Sequence, residues 1–102
     1  AARPLVASRE VLIALKLSAG REVDLRDVAA LSRGSVDYAE VVELLRRVPR
    51  KLVDDRLQKL REVLDTRRFR DSLKGAYLMD ERIGAPYFDA ARSLCREIGA
   101  RL

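Results

Sequence analysis

The chain has 102 residues and a net charge of +5, from 21 lysines and arginines against 16 acidic residues. This length suits one domain and is too short for a two-lobed enzyme. With no histidine and a single cysteine, the chain excludes histidine-dependent catalysis, an internal disulfide and a zinc site of the usual type. Hydrophobic residues make up 48% and charged residues 36%, which is the balance of a folded, helix-rich protein rather than of a disordered one.

The sequence gives no sign of a membrane segment or of export. No apolar run approaches the roughly 20 residues that span a bilayer. The opening residues, Ala-Ala-Arg-Pro, lack the apolar core of a signal peptide. We therefore expect a cytoplasmic protein that has no membrane partner.

Apolar residues recur with helical spacing along the chain, and no segment alternates as a β-strand would. Ser8 is suited to cap a first helix that runs to about Ala19, after which Gly20 supplies a left-handed residue. From Val11 to the end of this helix every residue is apolar or small except Lys16 and one serine. The first helix is therefore expected to bury most of its surface.

The second and third predicted helices are bounded by acidic residues and by glycine or proline. Asp24 is expected to cap the second helix, which runs from Leu25 to about Arg33 and ends at Gly34. The third helix follows an Asp-x-x-Glu capping box and is expected to continue to the residue before Pro49.

Three further helices follow. The fourth is expected from Pro49 to Asp65 and has the clearest amphipathic pattern. Thr66 is suited to cap a short fifth helix through Leu73, and Pro86 is expected to open the last helix after an ambiguous segment. The sequence thus predicts an all-α protein, a single compact bundle of five or six helices formed by residues 1–102.

Lys16 has no charged neighbour three or four residues away on its own helix. Its partner must come from solvent, from another segment or from a ligand, because burial of an unpaired ammonium costs free energy. Beyond Gly20 lie Arg21, Asp24 and Asp27, whose spacing predicts that the four charged side chains cluster at one corner. Lysine and arginine suit phosphate oxygens. Ion pairs and helix capping within the corner would also account for the pattern without a ligand.

The run from Leu15 to Val28, Leu-Lys-Leu-Ser-Ala-Gly-Arg-Glu-Val-Asp-Leu-Arg-Asp-Val, resembles the C-terminal motif of nucleotidyltransferase-fold proteins of the minimal and abortive-infection toxin type. In that family a helix carrying a lysine leads to a Gly-Arg turn followed by Asp-x-x-Asp. The resemblance implies that Lys16 and Arg21 face the phosphates of a nucleotide. It also implies that Asp24 braces this polar network and that Asp27 steadies the corner.

The chain departs from the family pattern in two ways. The family often has a lysine directly before the first aspartate of the motif, where this chain has Val23. The family's Gly-Ser turn and its metal-binding carboxylates on strands are also absent, so this chain offers no catalytic residue and nothing to hold Mg²⁺. The resemblance therefore implies the C-terminal part of a larger nucleotidyltransferase-like protein. An N-terminal catalytic domain would be its partner, and nucleoside triphosphate with magnesium would be used by the intact family member.

Two basic clusters at the ends of the fourth predicted helix support an alternative function. A stand-alone helical module could bind nucleic acid or an acidic protein partner through them. Acidic residues on the same segment fit a solvated helix face equally well. The apolar first helix also leaves homo-oligomerisation open. The clusters consist of Arg46, Arg47, Arg50 and Lys51 near Pro49, and of Arg67, Arg68 and Arg70 around Phe69.

The cysteine and three aromatic residues of the C-terminal third have simpler interpretations. Cys95 lies on the apolar face of the last predicted helix, so we expect a buried structural thiol rather than a nucleophile. Tyr77, Tyr87 and Phe88 are expected to pack the last helix onto the bundle rather than to enclose a ligand.

Overall fold

Six α-helices and no strand are present in the computed structural model, which describes residues 8–102. The opening residues 1–4, which the expectation about signal peptides concerned, lie outside the described residues. The prediction of an all-α bundle of five or six helices is confirmed. The helices are α1 (Arg9–Ala19), α2 (Glu22–Leu31), α3 (Tyr38–Leu45), α4 (Arg50–Leu64), α5 (Arg67–Ala76) and α6 (Glu81–Arg101).

The long helix α6 packs against α2, α3, α4 and α5, while α1 packs against α2, α3 and α4. Because α1 and α6 share three neighbours, one hydrophobic core connects all six helices. None of the described helices is long and apolar enough to cross a membrane. The largest fully buried side chains of the core are Ile13, Leu17, Leu25, Leu45, Leu57, Leu60, Leu64, Phe69, Leu73, Phe88, Leu94 and Ile98.

Helix α1 begins and ends where the sequence predicted. The Ser8 side chain accepts a hydrogen bond from a first-turn backbone N–H at 3.2 Å, and Gly20 adopts a left-handed conformation with φ +68°. Two cations of α4 satisfy carbonyls at this end, since Lys59 Nζ donates to the Gly20 oxygen at 2.9 Å and Arg56 Nε to the Ser18 oxygen at 3.4 Å. A Cβ at position 20 would lie 2.0 Å from Arg56 Nε. Glycine is thus required by the backbone and by this close approach.

The expectation that α1 would bury most of its surface is only partly met. The helix buries Ile13, Ala14 and Leu17 against the core. Leu15, in contrast, is 62% exposed, so part of the apolar surface of α1 faces solvent. The apolar pattern marked the helix correctly but overstated how much of it is covered.

The prediction that Asp24 caps α2 is wrong, since the helix begins at Glu22 and its N-cap is Arg21. Asp24 is the third helical residue, and its carboxylate accepts a hydrogen bond from the Arg21 backbone N–H at 3.1 Å. An acid at this position can satisfy the N-cap N–H in the way that a capping box does. The predicted start is therefore three residues too late.

The predicted end of α3 is also displaced, because the helix stops at Leu45 and not at Val48. The next residues form tight turns, in which the N–H of Arg47 bonds to the Leu44 oxygen at 3.3 Å and that of Val48 to the Leu45 oxygen at 3.0 Å. Proline disfavours helical backbone at the residue before it. The chain therefore leaves the helix through these turns before it reaches the residue that Pro49 restricts.

Helix α6 begins five residues before the predicted start at Pro86, which lies inside the helix. Asp80 is the N-cap, and its carboxylate accepts a hydrogen bond from the Ile83 N–H at 2.8 Å. Proline has no N–H, so one backbone hydrogen bond of the second turn is lost. Strong capping by Asp80 allows the helix to begin before this residue.

Helix α5 ends in a Schellman motif with leucine at the left-handed position. The Met79 N–H bonds to the Lys74 oxygen at 2.7 Å and the Leu78 N–H to the Gly75 oxygen at 3.4 Å, which is the hydrogen-bond pattern of that motif. Leu78 has φ +54° and is 92% exposed. A side chain in this conformation costs about 1–2 kcal/mol, and this one gains no burial in return.

We expect Leu78→Gly to stabilise the protein by about 0.5–1 kcal/mol, because glycine removes the left-handed strain and no packing is lost. Chemical unfolding monitored by circular dichroism would measure the change. The matched control is Leu15→Gly, also at an exposed leucine but inside α1, which should destabilise by about 1 kcal/mol. A loss of stability in both variants would contradict the assignment of strain to Leu78.

Candidate functional site

Lys16 meets its partner across the turn between α1 and α2. Its Nζ lies 2.9 Å from Asp27 Oδ2, and the other oxygen of the carboxylate, Oδ1, accepts a hydrogen bond from the Tyr77 hydroxyl at 2.7 Å. The side chains of Lys16 and Asp27 are 36% and 24% exposed. One carboxylate therefore joins α1, α2 and the end of α5. The sequence left solvent, another segment or a ligand as possible partners of Lys16, and in the structure the partner is a residue of another segment, Asp27.

Arg21 and Asp24 form the second pair of the corner. The Asp24 carboxylate is almost fully buried, with 3% of its side chain exposed. It accepts hydrogen bonds from Arg21 Nε at 2.8 Å and from Arg21 Nη2 at 3.3 Å, in addition to the backbone bond. The Arg21 side chain is 75% exposed, so its outer edge faces solvent. The buried Asp24 carboxylate thus holds the inner edge of the Arg21 guanidinium by hydrogen bonds.

The pKa values of the acidic groups reflect this arrangement. Hydrogen bonds from the Arg21 side chain are the largest cause of the lowered pKa of the Asp24 carboxyl, and the charge of Lys16 lowers it further. Burial is the largest single influence on the pKa of Asp27 and raises it, but the hydrogen bonds from Lys16 and Tyr77 and the charges of Lys16 and Arg26 together lower it. Burial and then the hydrogen bond to Asp27 raise the pKa of Tyr77. Both aspartates are therefore charged, and Tyr77 is protonated, at neutral pH.

The Lys16 corner opens onto a cavity of about 350 Å³, toward the small end of the ~300–1,000 Å³ range of ligand pockets. Lys16, Asp27 and Tyr77 form its polar wall. The rest of the lining is apolar or aromatic, so the cavity combines one charged wall with surfaces that can contact a ring or an alkyl chain. These other lining residues are Ala30, Leu31, Met79 and Tyr87.

Two arginines that were not singled out in the sequence also lie at this site. Arg26 Nε is 4.0 Å from Asp27 Oδ1, and it is buried without a hydrogen-bond partner among the described residues. The Arg33 guanidinium lies 5.2 Å from the centre of the Tyr87 ring. Lys16, Arg21 and Arg26 against Asp24 and Asp27 give the corner one net positive charge, and Arg33 beside Tyr87 adds a second. The sequence predicted no role for Arg26, although it directly precedes Asp27, and Arg33 contacts Tyr87, which is distant in the chain.

The sequence predicted that Tyr77, Tyr87 and Phe88 pack the last helix onto the bundle. In the structure, one of the three lies in the core and two line the cavity. Phe88 is fully buried in the core, as expected. Tyr77 and Tyr87 line the cavity, and Tyr77 donates to Asp27 across 50 residues of sequence. The helical pattern could not find this contact, since Tyr77 lies at the C-cap of α5, where the chain leaves the helix.

The corner can present donors to an anion even with its ion pairs formed. An ammonium has three N–H donors and a guanidinium five. Lys16 uses one of its donors on Asp27, and the Arg21 side chain uses two on Asp24. Among residues 8–102 no cluster of three or more acidic or cysteine side chains is arranged to hold a metal ion. The donors available here therefore suit oxyanions.

The two basic clusters lie at opposite ends of α4, whose 15 residues span about 22 Å. Most of their arginines pair with carboxylates. Arg47 and Lys51 are exposed and form no such pair within residues 8–102. The pairs are Arg46 with Glu43, Arg50 with Asp54, Arg67 with Asp71, Arg68 with Glu22 and Arg70 with Glu81. Arg70 also lies 4.6 Å from the centre of the Phe88 ring.

Comparisons with protein-family models, with curated proteins and with solved structures gave no match for this chain.

The lowered pKa values of Asp24 and Asp27 predict how stability depends on pH. A carboxyl whose pKa is lower in the folded state stabilises the protein above its unfolded value of about 3.9, and this stabilisation is lost as pH falls through the folded pKa. We expect Asp24→Asn to destabilise by about 1–2 kcal/mol at pH 7. The difference from the native protein should begin to shrink below about pH 4, where Asp24 of the unfolded chain takes up a proton, and should shrink further as pH falls through the lowered pKa of the folded state.

Urea unfolding at pH 7 and at pH 2.5 would measure this difference. The matched control is Asp54→Asn, which removes an exposed partner of Arg50 and should change stability by less than about 0.5 kcal/mol at either pH. A deficit in Asp24→Asn that is equal at both pH values would show that the charge of Asp24 is not what stabilises the fold.

Proposed function

We propose that this helical domain supplies the phosphate-facing corner of a nucleotidyltransferase-like protein, whose metal-binding carboxylates come from another domain. The observation that carries the proposal is the Lys16–Asp27–Tyr77 network on the wall of a 350 Å³ cavity. Lys16 and Arg21 would contact the phosphates of a nucleoside triphosphate. Asp24 and Asp27 would hold these cations in place when no nucleotide is bound.

The chemistry of the donors supports this role. Lys16 provides a point charge with two unused N–H donors, and Arg21 provides the outer edge of a planar guanidinium that is 75% exposed. Their aspartate partners limit the positive charge of the corner. A magnesium-bound triphosphate has a smaller negative charge than the free nucleotide, so a corner of low net positive charge suits it. The apolar residues beside Lys16 in the cavity would strengthen its contact with a phosphate, because they lower the local dielectric.

The partial exposure of Lys16 is part of the argument. A lysine that served only to pack α1 would keep its ammonium in solvent. Here the ammonium lies between a carboxylate and a cavity, with 36% of its side chain exposed. An incoming phosphate can therefore reach Nζ without displacing the helices.

The alternative, a stand-alone module that binds nucleic acid through the two basic clusters, has less support. Five of the seven basic residues already pair with carboxylates, and the clusters are separated by the length of α4. Binding at both would require a ligand that spans that distance. In the corner, in contrast, the Lys16 ammonium and the Tyr77 hydroxyl lie on the wall of one cavity.

The proposal is tested by titrating the chain with magnesium and adenosine or guanosine triphosphate, followed by calorimetry. We expect Lys16→Ala to lower the affinity by about tenfold or more, because it removes a charge-assisted hydrogen bond worth about 1.5–3 kcal/mol. Arg21→Ala should lower it by a smaller factor, since this side chain is mostly solvated.

Lys51→Ala is the matched control, as it removes one exposed positive charge at a distance from the corner. It should change nucleotide affinity by less than about twofold. Tyr77→Phe provides a variant that keeps the aromatic wall and the Lys16 charge, and thermal melts of each variant would establish that it folds. Equal affinity in native protein, Lys16→Ala and Lys51→Ala would refute the role assigned to Lys16.

A further inference from the structure

A second cavity, which the proposed function does not use, lies between α4 and α6. It has a volume of about 520 Å³ and is lined by polar side chains of both helices, with small residues of α6 on one side. We refer to it as the α4–α6 groove. Its lining consists of Asp54, Leu57, Gln58, Arg61, Arg96, Gly99 and Ala100.

The charge of the α4–α6 groove is unbalanced. Arg61 and Arg96 face it from opposite helices, and neither forms an ion pair with a carboxylate of the described chain. Asp54 is the only acid in its lining, and this carboxylate already accepts a hydrogen bond from Arg50 Nε at 3.0 Å. Most arginines elsewhere on α4 and α5 do have carboxylate partners. The two guanidiniums of the groove thus leave a local excess of positive charge.

The protein backbone holds Arg61 in this position. Its Nη2 donates to the Cys95 oxygen of α6 at 3.3 Å, so the guanidinium lies across the α6 surface. A Cβ at Gly99 would be 3.0 Å from the same Nη2, and glycine therefore permits the close approach. Arg96 is held more lightly, by a hydrogen bond from Nη2 to Ser93 Oγ at 3.2 Å. Each guanidinium keeps several N–H donors for a ligand.

We propose that the α4–α6 groove binds a phosphate group between Arg61 and Arg96. Two guanidiniums can each donate paired hydrogen bonds to phosphate oxygens, which a single point charge cannot do. Gln58 adds an amide at the rim, although it also bonds to Glu62 at 3.1 Å. The small residues Gly99 and Ala100 leave space beside the arginines for the anion.

The phosphate can come from two sources, a free phosphate compound or the backbone of a nucleic acid. The placement of the groove is compatible with either. Lys51, Asp54, Gln58 and Arg61 are three or four residues apart and therefore share one face of α4. This face carries the exposed Lys51 toward one end and Arg61 toward the other, about 15 Å apart along the helix. A polyanion could follow it, whereas a small phosphate would occupy the groove alone.

The first experiment titrates the chain with inorganic pyrophosphate while backbone amide shifts are recorded by NMR. We expect saturable shifts at residues 58–61 and 96–100. Arg61→Ala and Arg96→Ala should each weaken binding by about fivefold or more, because each removes a charge-assisted contact. Arg61→Lys keeps the charge but loses the planar fork, and it should recover only part of the affinity.

The matched control is Arg82→Ala, which removes an exposed arginine of α6 outside the groove and should change pyrophosphate affinity by less than about twofold. A second arm measures binding of a 20-nucleotide single-stranded DNA by fluorescence anisotropy. If the Arg61 and Arg96 variants weaken DNA binding more than Arg82→Ala does, the groove takes a nucleic-acid phosphate. If they weaken only pyrophosphate binding, it takes a free phosphate compound.

Either of those results supports the phosphate site, and two others would overturn it. One is an absence of saturable shifts at the groove with pyrophosphate. The other is an equal loss of affinity in the Arg61, Arg96 and Arg82 variants, which would mean that pyrophosphate responds only to overall charge. The Lys16→Ala variant should leave pyrophosphate shifts at residues 96–100 unchanged, so this site can fail or hold independently of the nucleotide corner.

Discussion

The left-handed backbone at Gly20 determines how α1 and α2 meet, and the candidate site depends on that meeting. Only Gly20 and Arg21 separate the two helices, so the last turn of α1 and the first turns of α2 lie side by side. Lys16 and Asp27, 11 residues apart, reach each other across this turn. Any side chain at position 20 would strain the backbone and collide with Arg56, which with Lys59 ties the same turn to α4. The position of one glycine thus governs a contact among three helices.

The Asp27 carboxylate limits which anions can bind at the corner. Its carboxylate holds Lys16 and accepts from Tyr77, so an anion that approaches Lys16 meets a neighbouring negative charge. A free anion would be attracted by the ammonium but repelled by the carboxylate. A ligand whose charge is neutralised in part by a cation would avoid this repulsion. In the proposed function the aspartate therefore favours a metal-bound phosphate chain over a simple carboxylate or a single phosphate.

Sequence patterns identified the helices because the local rules agree along most of the chain, as in the Ser8 cap, the Gly20 turn and the Thr66 cap, which accepts from the Phe69 N–H. These patterns misplaced the starts of α2 and α6, which were predicted from Asp24 and Pro86. An acidic residue or a proline is common at several positions near a helix N-terminus, so neither fixes the first residue. The clustering of Lys16 with Asp27 and of Arg21 with Asp24 was also accessible, because both pairs flank one turn. The Tyr77 contact and the α4–α6 groove were not, as they depend on packing between distant segments.

The single cysteine can report local opening of the interface between α4 and α6, here called the seam. Cys95 is buried there, its backbone oxygen accepts from Arg61, and burial raises its thiol pKa to about 11. Such a thiol is almost entirely protonated at neutral pH and shielded from reagents, so it reacts only when the seam opens. Its rate of alkylation therefore reports the opening equilibrium of this part of the molecule without an introduced probe. A ligand that bridges the two helices would slow that reaction.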